Sequence, residues 1–279
     1  MPSTLFIFIA ALFGLVVGSF LNVVIHRLPK MLEREWEFEL SSHMAEKSEQ
    51  EPPPAPTPYT LSSPRSSCPI CGHPITAFEN IPVLSYIGLG GRCSACKTPI
   101  SARYPLVELL TSAFAAAIAW KFGFGIQAFA AFFLVTCLIA LTFIDLDTMF
   151  LPDDITLPLL WAGLLFNAYD GFIDLHAAVI GAAAGYGLLW AAYWLFKLST
   201  GKEGMGYGDF KLLAALGAWF GWQALPPLLV ISGVSGSLIG LMLLTAKNNL
   251  AGKIPFGPYL ALGGVTTLFF GSALARLYL

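Results

Sequence analysis

Long runs of apolar residues, separated by short polar stretches, make up most of the chain. A helix needs about 20 mostly apolar residues to cross the hydrocarbon of a bilayer. Windows at 4–26, 105–121, 126–144, 155–170, 176–197, 210–223, 226–246 and 258–278 meet or approach that length. The pattern predicts an all-α polytopic membrane protein of about eight transmembrane helices. The windows at 155–170 and 210–223 are short and interrupted by polar or small residues, which leaves seven and nine as alternative counts. Arg27 to Tyr104 breaks the apolar pattern and reads as the one sizeable aqueous segment.

Composition agrees with this division. The 279 residues are 56% hydrophobic and 11% charged, with a mean hydropathy of +0.71, whereas soluble domains average about 25% charged residues. A single soluble core is excluded and the lipid bilayer becomes the expected surrounding; no nucleic-acid partner is expected. Lys and Arg concentrate on the cytoplasmic side of membrane proteins. With eight spans, one side collects 13 of the 15 basic residues, Lys247 and Lys253 among them, and the other receives only Lys121 and Arg276. That places Arg27 to Tyr104 in the cytoplasm and both termini outside it. No basic stretch precedes the first span and no small-residue cleavage site follows it, so it reads as a retained helix and not a signal peptide.

The aqueous segment has two parts. Glu33 to Glu51 is charged, and Pro52, Pro53, Pro54, Pro56 and Pro58 follow. This predicts a short surface helix and then an extended or disordered linker. Cys68 to Arg103 is too short to fold on hydrophobic burial alone and needs a staple. Cys68-Pro-Ile-Cys71 and Cys93-Ser-Ala-Cys96, with 21 residues between the pairs, supply one. Each pair sets two thiolates on a tight turn, and two such turns complete a tetrahedral shell for Zn²⁺. Disulfides or a redox dithiol are the competing reading, disfavoured in a reducing compartment. A shell closed by Cys68, Cys71, Cys93 and Cys96 leaves no position for water, so the zinc is structural. Cys137 lies inside an apolar run and reads as a packing residue. The domain division is therefore 1–27 for the first transmembrane helix, 28–104 for the loop with its zinc-ribbon-like unit at 68–103, and 105–279 for a seven-helix membrane core.

Ionisable residues at the edge of the hydrocarbon are costly and invite a functional question. Two clusters stand out: Phe143-Ile144-Asp145-Leu146-Asp147 with Leu151-Pro152-Asp153-Asp154, and Gly206-Tyr207-Gly208-Asp209-Phe210-Lys211. Both fall at the same predicted membrane face. Two carboxylates in hydrogen-bonding range cannot both ionise, so one holds a proton while the other acts as a base. Such a pair can activate water against a carbonyl, and the glycines before Asp209 would let a substrate backbone come close. Asp153 and Asp154 read as helix N-caps, Asp147 as a cap, surface charge or supporting partner, and Asp170 and Asp174 as solvated loop residues. Asp209 has an N-cap reading as well. His26, His43, His73 and His176 lack the spacing of a catalytic metal site.

Taken together, Gly18-Ser19-Phe20-Leu21-Asn22-Val23-Val24-Ile25-His26-Arg27-Leu28-Pro29, the Cys quartet with Asn80-Ile81-Pro82-Val83-Leu84-Ser85-Tyr86, Tyr104-Pro105-Leu106-Val107-Glu108 and the two aspartate clusters resemble the prepilin peptidases, the type 4 prepilin leader peptidases of type IV pilus and type II secretion systems. The resemblance covers most of the chain. It implies a GxGD aspartyl protease with Asp145 and Asp209 as the catalytic pair, Asp145 being favoured over Asp147 by its place seven residues before Pro152. It further implies cleavage of the basic leader of prepilins and pseudopilins, after a glycine and usually before phenylalanine, at the cytoplasmic face of the bacterial inner membrane. Members with the cysteine unit also N-methylate the new terminal amine using S-adenosylmethionine. No glycine-rich nucleotide fingerprint marks a methyl-donor site; Gly91, Arg92 and Arg103 are candidates for it. The acidic, proline-rich stretch from Glu33 to Pro58 departs from the family pattern.

Two other classes compete. An ion-coupled transporter using Asp145 and Asp209 would be expected to place its acids near the midplane within repeated halves, and no convincing inverted repeat is seen. A scaffold that docks a secretion partner through the zinc unit would show no proteolysis.

Overall fold

A computed structural model describes residues 3–48, 51, 53–55, 57–169, 171–202, 204–245 and 254–278. Pro52, Pro56, Asp170, Lys247 and Lys253 lie outside the described residues. Among those described, the chain is about three quarters helical with no strand. Each expected span is matched by a helix: Thr4–Lys47 (α1), then, after the short helix Leu84–Gly88 (α2), Arg103–Phe122 (α3), Ile126–Thr148 (α4), Asp153–Ala168 (α5), Leu175–Thr200 (α6), Tyr207–Phe220 (α7), Leu225–Thr245 (α8) and Gly257–Tyr278 (α9). Six of these helices are long and apolar enough to cross a membrane; α5 and α7, with 16 and 14 residues, are not among them. The chain divides into two compact units, Met1–Phe124 and Gly125–Leu279.

In the first unit α1 and α3 pack antiparallel. Ser112 donates its hydroxyl to the Ala11 carbonyl at 2.9 Å, and Asn22 donates its side-chain N–H to the Tyr104 carbonyl at 3.0 Å. The expected end of the first helix at residue 27 and the separate surface helix beyond it are not what forms: α1 continues through Pro29 to Lys47 as one helix of 44 residues. At 1.5 Å per residue it is about 66 Å long, twice what the hydrocarbon requires. Proline removes one backbone bond, and the residues after it are mostly good helix formers. The returning linker is tied to this helix. Buried Arg27 donates to the carbonyls of Thr60 and Pro64 at 2.9 and 2.7 Å, and Arg34 lies over the Tyr59 ring at 4.2 Å. The linker expected to be loose is thus held at Tyr59–Pro64.

In the second unit α7 is the most enclosed helix: every residue from Asp209 to Phe220 except Lys211 is buried. It packs against α5, α6 and α9, so a helix of about 21 Å meets protein instead of lipid. The approach of α6 is backbone to backbone. A Cβ at Gly217 would fall on the Gly181 carbonyl, and one at Gly181 on the Gly217 carbonyl. Asn167 locks the far end of the same helix, its side-chain N–H donating to the carbonyls of Ala218 and Trp219 at 2.8 and 3.2 Å. Trp219 in turn donates its indole N–H to the Leu159 carbonyl at 2.9 Å.

Candidate active site

Asp145 ends an apolar helix. The run of α4 closes at Thr148, and Met149 follows in the left-handed conformation with its N–H on the Asp145 carbonyl at 2.9 Å. The Asp145 side chain is 4% exposed, and its Oδ2 accepts the N–H of Gly257, the first residue of α9, at 2.9 Å. Asp209 begins a helix instead. It stands three residues after the N-cap Gly206, and its Oδ2 accepts the Gly206 N–H at 3.3 Å. Its side chain is 7% exposed. The N-cap reading of the sequence was close: from the third helical position Asp209 turns its carboxylate back onto the N-cap N–H, the acidic half of a capping box.

Leu151 relates the two acids. A Cβ on Gly208, the neighbour of Asp209, would sit 2.8 Å from Leu151 Cβ; one on Gly257, the donor to Asp145, would sit 3.1 Å from Leu151 Cδ2. One buried leucine therefore lies between the backbone that carries Asp209 and the backbone that donates to Asp145. Each carboxylate also faces the first turn of a helix, where unpaired N–H groups favour negative charge. Two buried acids brought within reach of one water could pass a proton between it and a carbonyl oxygen.

The remaining acids separate clearly. Asp147 is exposed, two positions round the helix from Asp145. Asp153 and Asp154 are not N-caps: Pro152 occupies that place with no side-chain bond, and both acids lie in the first turn of α5. Asp153 accepts from Lys211 on α7 at 2.7 Å through both oxygens, an ion pair that outcompetes capping because the lysine sits opposite. Asp174, expected to be merely solvated, is the N-cap of α6, accepting from the N–H groups of His176 and Ala177 at 2.9 and 3.3 Å.

The cysteine unit folds as two matching turns, Cys68-Pro-Ile-Cys71-Gly-His-Pro74 and Cys93-Ser-Ala-Cys96-Lys-Thr-Pro99. The first cysteine of each donates its N–H five residues on, to the His73 and Thr98 carbonyls, both at 2.9 Å. Bridges pair Ser67 with Pro74 and Arg92 with Pro99. Gly72 and Lys97 hold equivalent positive-φ positions, at 71° and 61°. All four Sγ atoms lie within 4.8 Å of one another, with Cys68 to Cys96 at 3.8 Å and Cys71 to Cys93 at 4.0 Å. A tetrahedral shell with Zn–S bonds of about 2.3 Å has sulfur separations of about 3.8 Å. The thiols are free, and the quartet fits zinc. Hydrogen bonding with Thr98, through its hydroxyl and then its backbone, holds the Cys96 thiol down at about 6, toward the thiolate that binds metal. Hydrogen bonds from Ser94, and then from the Thr76 N–H and hydroxyl, hold the Glu79 carboxyl at about 2.

Where this unit meets α3, Glu108 is buried and accepts the Val83 N–H at 2.7 Å. Val83 has φ 61°, and the Leu84 N–H reaches the Pro82 carbonyl at 2.6 Å, a tight turn that β-branched residues rarely adopt. Gly91 and Arg92 lie on the second cysteine turn, and Arg103 opens α3.

Two family profiles match the chain: the bacterial peptidase A24 N-terminal domain over residues 12–122, and the type IV leader peptidase family over residues 132–241. The prepilin leader peptidase/N-methyltransferase of Aeromonas hydrophila is 59% identical over 269 residues, covering 96% of this chain and 92% of that protein. The proteins of the same name from Pseudomonas aeruginosa and Burkholderia pseudomallei are 51% and 52% identical, with 98% of this chain and 93% and 88% of theirs covered. The chain belongs to the type IV leader peptidase family. No solved structure matches it. The two leader peptidase profiles fall one within each compact unit, and the second carries both aspartates but stops before Gly257. Gly257 is the site residue that sequence reasoning passed over, and Leu151 entered it only as a member of the first aspartate cluster. The nearest signal for Gly257 is the Phe256-Gly257-Pro258 opening of the last apolar run.

Proposed function

We propose that this chain is a multi-pass membrane enzyme of two activities. It cleaves the leader peptides of type IV prepilins and type II secretion pseudopilins, and it N-methylates the residue this exposes, with S-adenosylmethionine as methyl donor. Asp145 and Asp209 are the catalytic pair, facing the cytoplasm at the surface of the bacterial inner membrane. The observation that carries the reading is the convergence of two buried carboxylates, from helix ends 64 positions apart in sequence, on either side of Leu151.

In the reaction, the ionised carboxylate takes a proton from water as the oxygen attacks the scissile carbonyl. The protonated partner donates to the carbonyl oxygen. The tetrahedral intermediate then collapses, the C–N bond breaks, and a proton passes to the leaving amine. That amine is the new terminus of the mature pilin and the acceptor for methylation. A membrane-inserted substrate helix with a cytoplasmic leader presents its junction at the interface, level with acids at helix ends and not at the midplane. Cys68, Cys71, Cys93 and Cys96 would hold zinc, which when bound supplies structural closure of the 68–103 unit.

The test is incubation of the purified protein with a prepilin and isotopically labelled S-adenosylmethionine, followed by mass measurement of the product. Loss of the leader and one labelled methyl on the new terminal residue are expected. An intact prepilin would refute the peptidase reading, and an unlabelled mature product would refute the methyl transfer alone.

A further inference from the structure

The donor that reaches Asp145 lies outside both aspartate motifs. Helices open with unpaired N–H groups, and the first turn of α9 can be accounted for completely. Tyr259 and Leu260 return their N–H groups to the Phe256 carbonyl at 3.1 and 3.2 Å. Pro258 has none. The one that remains, on Gly257, donates to Asp145 Oδ2 across 112 positions of sequence. Gly257 is itself buried, so this donor has no water to turn to.

Space makes the same point as the hydrogen bond. A Cβ at position 257 would stand 2.7 Å from Asp145 Oδ2 and 3.2 Å from its Cγ, with Leu151 Cδ2 behind it at 3.1 Å. These distances are inside ordinary van der Waals contact, so the carboxylate or the leucine must shift to admit a Cβ. Leu151 is pinned on its other side by Gly208, where a Cβ would come within 2.8 Å of it. Any side chain at 257 therefore displaces the Asp145 carboxylate, or moves the leucine toward the backbone that carries Asp209.

The geometry points to Gly257 as a positioning residue for the peptidase reaction: its N–H fixes one carboxylate oxygen of Asp145, and its missing side chain leaves the room that the carboxylate occupies. With Oδ2 committed to this bond, Oδ1 is the oxygen left to exchange a proton with water or substrate. The inference rests on Asp145 being a reacting acid, as proposed above. It adds the start of α9 to a site otherwise built from α4 and α7.

The test uses the full-length protein in detergent with a prepilin substrate. Gly257→Ala is expected to lower kcat at least about 100-fold, the loss associated with about 1 Å of misplacement, while KM stays within about threefold because the substrate contacts are untouched. A second variant carries glycolic acid at position 257, exchanging the N–H for an ester oxygen with no added bulk, and is also expected to lower kcat. If either folded variant cleaves at half the wild-type kcat or better, the assignment fails; if the alanine variant does not fold, the ester variant decides. A readout free of cleavage accompanies these. In Asp145→Ala the Gly257 amide should exchange with deuterium at least about tenfold faster than in wild type, and unchanged exchange would overturn the assignment. Faster exchange where the wild-type protein itself cleaves no prepilin would leave the bond from Gly257 to Asp145 standing and reject the peptidase reading instead.

Discussion

Asn167 offers the sharpest test of how the fold holds α7, and through it Asp209. The side chain is 4% exposed and spends its full hydrogen-bonding capacity. It donates to the carbonyls of Ala218 and Trp219 at 2.8 and 3.2 Å, and its oxygen accepts from the N–H groups of Phe172 and Ile173 at 2.8 and 3.2 Å. Three segments meet there: the end of α5, the end of α7 and the turn leading into α6. Asn167→Ala removes four bonds. At about 0.6 kcal/mol each, the average within membrane proteins, the floor is about 2.4 kcal/mol; at about 1 kcal/mol each, the loss is about 4 kcal/mol. Asn167→Asp keeps the acceptor but sets a second oxygen against the Ala218 carbonyl, so it should cost at least as much as the alanine. The assay is reversible unfolding in mixed micelles followed by tryptophan fluorescence, for which Trp219 lies nearby. Asp209 stands near the other end of α7, about 14 Å along the helix from Ala218, so the cleavage rate per folded molecule should stay within about twofold of wild type. A loss below about 1 kcal/mol for Asn167→Ala, or an aspartate variant more stable than the alanine, would refute the reasoning.

Three further outcomes are expected. Lys97→Gly should stabilise the cysteine unit by about 0.5–1 kcal/mol, since glycine occupies a left-handed position without the cost a side chain incurs; a lower midpoint for chelator-induced loss of zinc would contradict this. Cys68→Ser should abolish stoichiometric zinc in elemental analysis and impair methyl transfer more than cleavage, and a variant with full zinc and both activities would contradict it. Asp153→Asn should cost less than about 1 kcal/mol in the same unfolding assay, because its pair with Lys211 is partly exposed. A larger loss would show that the pair is shielded from solvent.

Much of the architecture could be read from the chain because membranes impose simple lengths. Except for α1, which runs on to Lys47, each apolar run became a helix within a few residues of its expected bounds, and the two runs that looked too short are the helices that miss the length for crossing unaided. The Cys quartet was legible for a related reason: its spacing encodes two local turns, and local turns need no distant partner. Asp145 and Asp209 stood out because a carboxylate in an apolar context has few bland explanations. What escaped was long-range. Gly257 meets Asp145 through a backbone N–H, a group every residue but proline carries, so nothing in the letter marks it. Arg27 ties down Tyr59–Pro64 from more than thirty positions away, and that anchoring goes with the continuous α1 where the charge pattern suggested a break. Asp153 escaped for the same reason, since a lysine on another helix decides its partner, whereas the cap at Asp174 is local and was within reach of the sequence.

The measurement that bears most directly on the account is prepilin cleavage by Asp145→Asn, Asp209→Asn and the double variant, each shown to be folded. Two acids that share one proton act as a unit. Each single change should therefore lower kcat by about 10³-fold or more, and the double change should lower it little further. A single variant retaining a tenth of the wild-type rate, or a double variant whose loss is the product of the two single losses, would contradict a shared catalytic pair.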